Sequence, residues 1–201
     1  MDSQYSVPLT PIEAKIITAL QQEDHAQREA NLPIEARTRN ISAATGPFLW
    51  QMVVGHKPRT ILEIGSSTGL STMWLASAAS RIGARLLGTE VIVERAAQNN
   101  AQLRRAGLDG TARVADSDHR NVDDVKSTAW EFVFLDAEKD DYLAHLQAIE
   151  PYLAPGAVIL TDNVISHDCT ELQNYLRGSA KYSTITIPLD RGIEYSVLLP
   201  Q

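Results

Sequence analysis

The sequence predicts an α/β fold, in which a doubly wound, mostly parallel sheet of seven strands follows two N-terminal helices. Short apolar runs alternate with helical patterns from residue 60 onward. The chain has 201 residues, of which 44% are hydrophobic and 21% charged, as in globular proteins. Prolines and glycines are scattered and form no linker. We therefore expect one domain over residues 1–201, with a helical N-terminal cover at 1–58 and the sheet core at 59–201.

Seven strands are predicted from short runs of apolar residues bounded by turn signals. These strands cover residues 60–64, 85–90, 111–115, 131–135, 157–161, 183–187 and 195–199. Strands that alternate with helices pair in parallel, and ligands of such sheets bind at the carboxyl ends of the strands. The C-terminal strand is expected to be antiparallel.

Six helices are predicted from apolar periodicity and from residues that favour helix ends. These helices cover residues 10–31, 46–56, 70–80, 94–106, 142–153 and 171–176. Gly107 closes the fourth helix, because glycine tolerates the left-handed conformation that follows many helices. Pro155 and Gly156 are expected to turn the chain into the fifth strand. The two leading helices are expected to cover the site or to form a dimer contact.

The composition argues against several classes of protein. No run approaches the roughly 18 apolar residues of a membrane span, and no secretory signal is visible at the N-terminus. Cys169 is the single cysteine, so no internal disulfide is possible; a cytoplasmic location and a packing role for this residue are expected. The net charge of −7 disfavours nucleic acid as a partner.

Gly65 and Gly69 lie where the first strand turns into its helix, so the backbone there can approach a ligand closely. Their G-x-x-x-G spacing differs from the G-x-G-x-x-G of dinucleotide sites, which favours a nucleoside ligand without pyrophosphate. Glu90 ends the second strand, where its carboxylate can accept hydrogen bonds from ribose hydroxyls. Asp116 and Ser117 end the third strand, in position to meet an adenine edge.

Oxygen-bearing side chains follow the fourth and fifth strands. Asp136 ends the fourth strand, and Asp162 and Asn163 end the fifth. Two carboxylates and one amide oxygen suit Mg²⁺, and also Ca²⁺ or Mn²⁺, far better than zinc or copper. The sequence therefore predicts a site for a divalent cation. The alternative is that these residues only cap the segments that follow.

The assembled pattern resembles class I S-adenosylmethionine-dependent methyltransferases, which have a Rossmann-like fold, from about Asn40 to Leu199. Two residue pairs narrow the resemblance to the cation-dependent O-methyltransferases, the family of the catechol and caffeoyl-coenzyme A enzymes. These pairs are Asp136 with Lys139, and Asp162 with Asn163. This resemblance implies S-adenosylmethionine as the methyl donor, a phenolic or catechol-like small molecule as the acceptor, and a homodimer.

The resemblance also implies roles for individual residues. Ile41 would contact the donor through its backbone, Ser71 its methionine carboxylate, and Asp136 both its amino group and the metal. The complete set of implied donor contacts is Ile41, Glu63, Gly65, Ser67, Ser71, Glu90, Asp116, Ser117 and Asp136.

Lys139 is the predicted catalytic base. A phenol has an unperturbed pKa near 10 and is a poor nucleophile at neutral pH, unless a dication stabilises the oxyanion and a base takes the proton. A lysine near a dication in a partly desolvated pocket can serve as that base. Without the resemblance, Lys139 reads as an ordinary surface lysine beside Glu138 and Asp140.

The sequence departs from the family pattern at two places. His167 follows the Asp162–Asn163 pair where plant relatives have an aromatic residue, so it is predicted either to contact substrate, to act as a second base, or to be a surface residue. Arg191 is inserted where many relatives have Asp-Gly directly, and it is predicted either to meet an anionic acceptor or to be exposed.

Three other functions remain open from the sequence. Four basic residues that could contact RNA are close together in the sequence: Arg37, Arg39, Lys57 and Arg59. A transfer RNA with a hydroxylated wobble uridine is therefore a second possible acceptor. A regulatory protein that binds S-adenosylmethionine without turnover is a third function, which the four residues Asp136, Lys139, Asp162 and Asn163 argue against. A nicotinamide dehydrogenase is the fourth, disfavoured by the missing third glycine.

Overall fold

A seven-stranded sheet forms the centre of the fold. The computed structural model describes residues 6–200. The strands are β1 (Thr60–Ile64), β2 (Arg85–Thr89), β3 (Ala112–Ala115), β4 (Trp130–Leu135), β5 (Leu153–Asp162), β6 (Tyr182–Ile187) and β7 (Ile193–Leu198). They lie in the order β3-β2-β1-β4-β5-β7-β6. The first five are parallel, and β7 is antiparallel to both β5 and β6, so the predicted sheet is confirmed.

Seven α-helices are present in residues 6–200, and none of them is long and apolar enough to cross a membrane. They are α1 (Pro11–Glu29), α2 (Thr45–His56), α3 (Leu70–Ile82), α4 (Val93–Ala106), α5 (Asp123–Ser127), α6 (Tyr142–Ile149) and α7 (Thr170–Gly178). Thr10 begins α1 with a capping box that includes Glu13, and Gly107 ends α4 in the predicted left-handed conformation.

Two apolar layers cover the sheet because successive strand residues point to opposite faces. Ile61 packs on one face with residues of α1 to α4, and the neighbouring Leu62 packs on the other face with residues of α5 to α7. Both side chains are fully buried. Cys169 is also buried in the second layer, consistent with the predicted packing role.

The boundary between α6 and β5 differs from the prediction. The helix ends at Ile149, a short 3₁₀ turn follows at Glu150–Tyr152, and the strand already begins at Leu153. Pro155 and Gly156 therefore lie inside the strand, with Gly156 at φ +81°. Trp130 of β4 pairs with Leu153, and the register shifts before the next pair, so an irregular β4–β5 pairing accommodates these two residues.

The leading helices α1 and α2 pack against α3 and belong to the same apolar layer as the core. The segment that joins them reaches the carboxyl edge of the sheet, where residues 37–42 lie along a cavity. The buried side chain of Asn40 anchors this segment, because its Nδ2 donates to the Leu20 carbonyl at 3.1 Å. The joining segment, more than the helices, covers the cavity.

Candidate functional site

A cavity of about 740 Å³ opens at the carboxyl ends of the parallel strands. Its wall includes the last residues of β1, β2 and β5, the loops that follow β3 and β4, and the segment 37–42. A cavity of this volume is within the range of small-molecule sites in proteins.

One side of the cavity, here called the glycine wall, consists of Gly65, Ser67, Ser71 and Glu90. Gly65 has φ +92°, and a Cβ there would collide with the backbone carbonyl of Asp136. Glycine is therefore required both by the conformation and by the close approach of the chain that follows β4. The predicted turn at the end of β1 is thus a tight crossing of two backbone segments.

Glu90 is buried, and backbone groups of the glycine wall fix its carboxylate. Oε2 accepts a hydrogen bond from the Ser67 amide at 2.9 Å, and Oε1 accepts one from the Ile92 amide at 2.9 Å. Each carboxylate oxygen has a further lone pair, so Glu90 retains the capacity to accept from hydroxyl groups of a ligand. The Ser67 hydroxyl donates to the Thr38 carbonyl at 2.7 Å, which ties the wall to the segment 37–42.

A neighbouring part of the cavity wall, here called the carboxylate wall, consists of Asp136, Lys139, Asp162 and Asn163. Lys139 Nζ donates to Asp136 Oδ1 at 2.7 Å and to the Ala137 carbonyl at 2.8 Å. Asn163 Nδ2 donates to the same Asp136 oxygen at 3.2 Å. The register of β4 and β5 therefore brings together the residues that the sequence predicts to share a site.

Asp162 is nearly fully buried, and only one of its side-chain oxygens accepts a hydrogen bond from residues 6–200, the Asn163 amide at 2.9 Å. Burial and the neighbouring Asp136 raise the pKa of Asp162 to about 7, while the positive charges of Lys139 and Arg191 oppose this. Two carboxylates this close repel each other, and a cation between them would relieve the repulsion.

The chemistry of this donor set matches the predicted dication. Asp162 Oδ2 and Asn163 Oδ1 accept no hydrogen bond from the described part of the chain, so both oxygens are available as ligands beside Asp136. Oxygen donors without imidazole or thiolate are typical of Mg²⁺, Ca²⁺ and Mn²⁺. Residues 6–200 contain no group of three His, Cys, Asp or Glu side chains arranged for a metal ion.

Most of the predicted site residues line this one cavity. They are Ile41, Gly65, Ser67, Ser71, Glu90, Ser117, Asp136, Lys139, Asp162 and Asn163. Their individual roles remain predictions.

Two predicted residues, Glu63 and Asp116, are not on the cavity wall. Glu63 lies fully buried beneath the glycine turn, where its Oε2 accepts from the hydroxyls of Ser66 at 2.7 Å and Thr72 at 2.5 Å. Glu63 therefore stabilises the glycine turn through hydrogen bonds from within the core. Asp116 is exposed, and the neighbouring Asp118 lines the cavity instead, paired with Arg120.

Sequence reasoning missed two features of the site. Arg39 Nη1 lies 2.6 Å from Glu138 Oε1, so an ion pair joins the segment 37–42 to the loop after β4. Tyr142, the first residue of α6, donates its buried hydroxyl to the Asp162 carbonyl at 3.0 Å. Burial, Asp136 and Asp162 raise the pKa of this phenol well above its usual value. The position of Tyr142 shortly after the Asp136 strand end is the signal that could have identified it.

The four basic residues considered for transfer RNA do not form one patch. Arg37 and Arg39 line the cavity, whereas Lys57 and Arg59 lie at the amino end of β1, at the opposite edge of the sheet. Arg59 is also paired with Glu131 there, with Nη2 and Oε1 2.6 Å apart. The structure therefore does not support a continuous basic surface built from these residues.

Comparison with known proteins agrees with this site. Residues 62–164, just over half of the chain, match the protein family described as "Methyltransferase domain". The chain belongs to this methyltransferase family. The matched segment extends from the strand before the glycine turn to the residue after Asn163, so it contains both the glycine wall and the carboxylate wall. The predicted membership in the class I S-adenosylmethionine-dependent O-methyltransferases is confirmed.

Curated relatives of this methyltransferase include two catechol O-methyltransferases. The Mycobacterium tuberculosis protein is 33% identical over 126 residues, which cover 62% of this chain and 57% of that protein. The mouse protein is 30% identical over 150 residues, which cover 71% of this chain and 56% of that protein. The chain thus spans little more than half the length of these relatives.

Solved structures share the fold of this methyltransferase. An O-methyltransferase from Bacillus cereus, solved in complex with SAH, aligns with a TM-score of 0.77 and 22% identity, covering 98% of this chain and 94% of that one. A methyltransferase from Geobacter sulfurreducens aligns with a TM-score of 0.78 and 19% identity, covering the same shares. At these identities the comparison establishes the fold alone.

Proposed function

We propose that this protein transfers a methyl group from S-adenosylmethionine to a hydroxyl oxygen of a small catechol-like phenol, with a divalent cation bound at the carboxylate wall. The observation that carries the proposal is that the glycine wall and the carboxylate wall face one cavity. A nucleoside donor and an oxygen acceptor could therefore be held side by side, as in-line displacement at a methyl group requires. The names of the catechol-methylating relatives support the same acceptor class.

Asp136, Asp162 and Asn163 are the proposed ligands of the cation. When bound, a dication supplies Lewis acidity, which favours the ionised form of a phenol and fixes its orientation. Asp162 contributes a buried carboxylate that Asn163 holds through its backbone amide. Tyr142 fixes the backbone of Asp162, because its hydroxyl donates a hydrogen bond to the Asp162 carbonyl. These contacts preorganise the ligands on the ends of two rigid strands.

Lys139 is the proposed acceptor of the hydroxyl proton, at Nζ. Its ammonium currently donates to Asp136 Oδ1, and only 14% of its side chain is exposed. To act as the base, Lys139 must first release one ammonium proton to solvent, and the neutral amine can then accept the proton of the acceptor hydroxyl at Nζ. The new C–O bond forms as the donor's methyl–sulfur bond breaks, so the products are the methyl ether, S-adenosylhomocysteine and the proton on Lys139.

Glu90 and the backbone of Gly65 and Ser67 are the proposed binding groups for the donor. The Glu90 carboxylate would accept from ribose hydroxyls with the lone pairs that the backbone amides leave free. Gly65 itself lines the cavity, and the absence of a Cβ there lets the backbone after β4 pass close to the glycine turn.

Release of S-adenosylhomocysteine tests the proposal. The protein is incubated with S-adenosylmethionine and catechol, either in EDTA or with Mg²⁺, Mn²⁺ or Ca²⁺ added. We expect at least about a 100-fold higher rate with the best cation than in EDTA, since a ligand-bound dication contributes several kcal/mol to stabilising the oxyanion. Donor binding, measured by calorimetry in EDTA, is expected to remain.

Two outcomes would contradict the proposal separately. Methylation of catechol at the same rate in EDTA would remove the cation from the mechanism. A protein that binds S-adenosylmethionine but methylates no phenol with any cation would contradict the activity itself. Asp168→Asn is the control variant for loss of a carboxylate, because Asp168 is exposed, lies off the cavity wall and accepts a hydrogen bond from the Thr170 amide, as an asparagine oxygen also can.

A further inference from the structure

Six arginines line the cavity, and they differ in how their guanidinium groups are occupied. Arg28, Arg37, Arg39, Arg95 and Arg120 each donate a hydrogen bond to another residue of the protein. Arg191 donates no hydrogen bond to any residue in the described range 6–200. Its nearest acidic neighbour is Asp190, with Nε and Oδ2 3.9 Å apart. At this distance the pair forms a weak, solvent-screened contact.

The backbone of Arg191 is nevertheless held firmly beside the carboxylate wall. Its carbonyl accepts from the amides of Ile165 at 2.9 Å and Ser166 at 3.2 Å. Asp162 pairs with Ile193 in the register of β5 and β7, so the turn before β7 lies next to the chain that leaves Asn163. Gly192 has φ +88° and packs against the Ile165 side chain. The backbone of Arg191 is therefore fixed by hydrogen bonds, whereas its side chain makes none to residues 6–200.

The location of Arg191 makes it a recognition group. Its charge is near enough to influence Asp162, one of the proposed ligands of the cation that would hold the acceptor. His167, which is exposed, lies on the same rim of the cavity. An arginine presents a planar fork of donors that matches a carboxylate, and within residues 6–200 this one has only the long contact with Asp190.

We infer that Arg191 binds an anionic group of the acceptor, and that the acceptor is an aromatic ring with adjacent hydroxyls and a carboxylate away from them. This inference rests on the proposed function, since it deepens the identity of the methyl acceptor. The hydroxyls face Asp162 and Asn163, and the carboxylate extends toward the rim. A cationic group at the same position would be repelled by Arg191.

Three acceptors with the same ring test the inference: catechol, 3,4-dihydroxybenzoate and 4-(2-aminoethyl)catechol. For the unaltered protein we expect the highest kcat/KM with the benzoate. Arg191→Gln should reduce the benzoate-to-catechol ratio of kcat/KM about tenfold, mostly through KM for the benzoate, because the charged hydrogen bond exists only with the carboxylate. Arg191→Glu should shift the preference toward the amine.

Arg105→Gln is the matched control, because it removes the same charge from an exposed residue of α4 that lies off the cavity wall. An unchanged benzoate-to-catechol ratio in Arg191→Gln, or an equal loss with both acceptors, would overturn the inference. Turnover of catechol reports on the proposed function independently of this ratio. Should no acceptor be methylated, calorimetry with 3,4-dihydroxybenzoate decides: weaker binding to Arg191→Gln supports the inference, and equal or absent binding overturns it.

Discussion

The glycine wall and the carboxylate wall face the same cavity but satisfy their polar groups differently. In the glycine wall, backbone amides occupy both oxygens of Glu90, and the Ser67 hydroxyl has a backbone acceptor. In the carboxylate wall, two acidic side chains lie close together, and the pKa of Asp162 is raised to about 7. The polar groups of the glycine wall therefore have hydrogen-bond partners within the fold. The carboxylate wall instead holds two neighbouring carboxylates, whose repulsion a bound cation would relieve.

Asp162→Ala should have the largest effect, and it should lower turnover without weakening donor binding. The variant removes a proposed cation ligand but no contact of the glycine wall, so we expect turnover of catechol to fall at least about 100-fold. The dissociation constant of S-adenosylhomocysteine, measured by calorimetry, should change less than about threefold. Equal losses of turnover and of donor affinity would show that the walls act as one unit, and Asp168→Asn controls for the lost charge.

Glu90→Gln should have the converse effect. The amide replaces one acceptor oxygen with a donor that faces a backbone N–H, so the dissociation constant of S-adenosylhomocysteine should rise about 10- to 100-fold. The value of kcat at saturating donor should stay within about threefold. Glu94→Gln is the control, since Glu94 is exposed in the first turn of α4. Unchanged donor affinity would contradict the proposed role of the glycine wall.

Glu63→Gln should affect stability rather than either wall. Burial raises the pKa of Glu63 above the usual 4.5, against hydrogen bonds from Ser71, Thr72 and Ser66 that lower it. The folded protein therefore keeps this proton to higher pH than the unfolded chain does, so its contribution to stability is full below about pH 4.5 and is lost as pH rises through the folded pKa.

Glutamine does not titrate, so the Glu63→Gln variant should not lose this contribution to stability as pH rises. We expect its unfolding free energy, relative to the unaltered protein, to improve as pH rises above about 4.5. Urea unfolding at several pH values measures the difference, and donor affinity should stay within about threefold because Glu63 is off the cavity wall. Parallel pH profiles of the two proteins would contradict the prediction.

Lys57→Gln should have the smallest effect. Lys57 follows α2 at the edge of the sheet opposite the cavity, where solvent screens its charge. We expect turnover and donor affinity to change less than about twofold. A loss of activity comparable with that of a cavity residue would show that the far edge of the sheet takes part in the reaction.

Local patterns predicted the elements that carry the site. The apolar runs before Gly65 and Asp136 are parallel strands, so alternation predicted that both end at the carboxyl edge of the sheet. The pairing of β4 with β5 then brings Asp136 next to Asp162 and Asn163. The boundary between α6 and β5 was not predictable in this way, because pairing with β4 draws residues 153–156 into the strand despite Pro155 and Gly156.

The sequence by itself determined the α/β architecture, the glycine turn and the set of oxygen donors, because these depend on periodicity and on the chemistry of neighbouring residues. The tertiary structure alone decided that Glu63 is buried under the glycine turn while Glu90 lines the cavity, and that Arg191 lines the cavity with only a long contact to Asp190. It also separated Lys57 from Arg39 across the sheet. Side-chain direction, burial and pKa are fixed by contacts between distant parts of the chain, which spacing in one sequence does not specify.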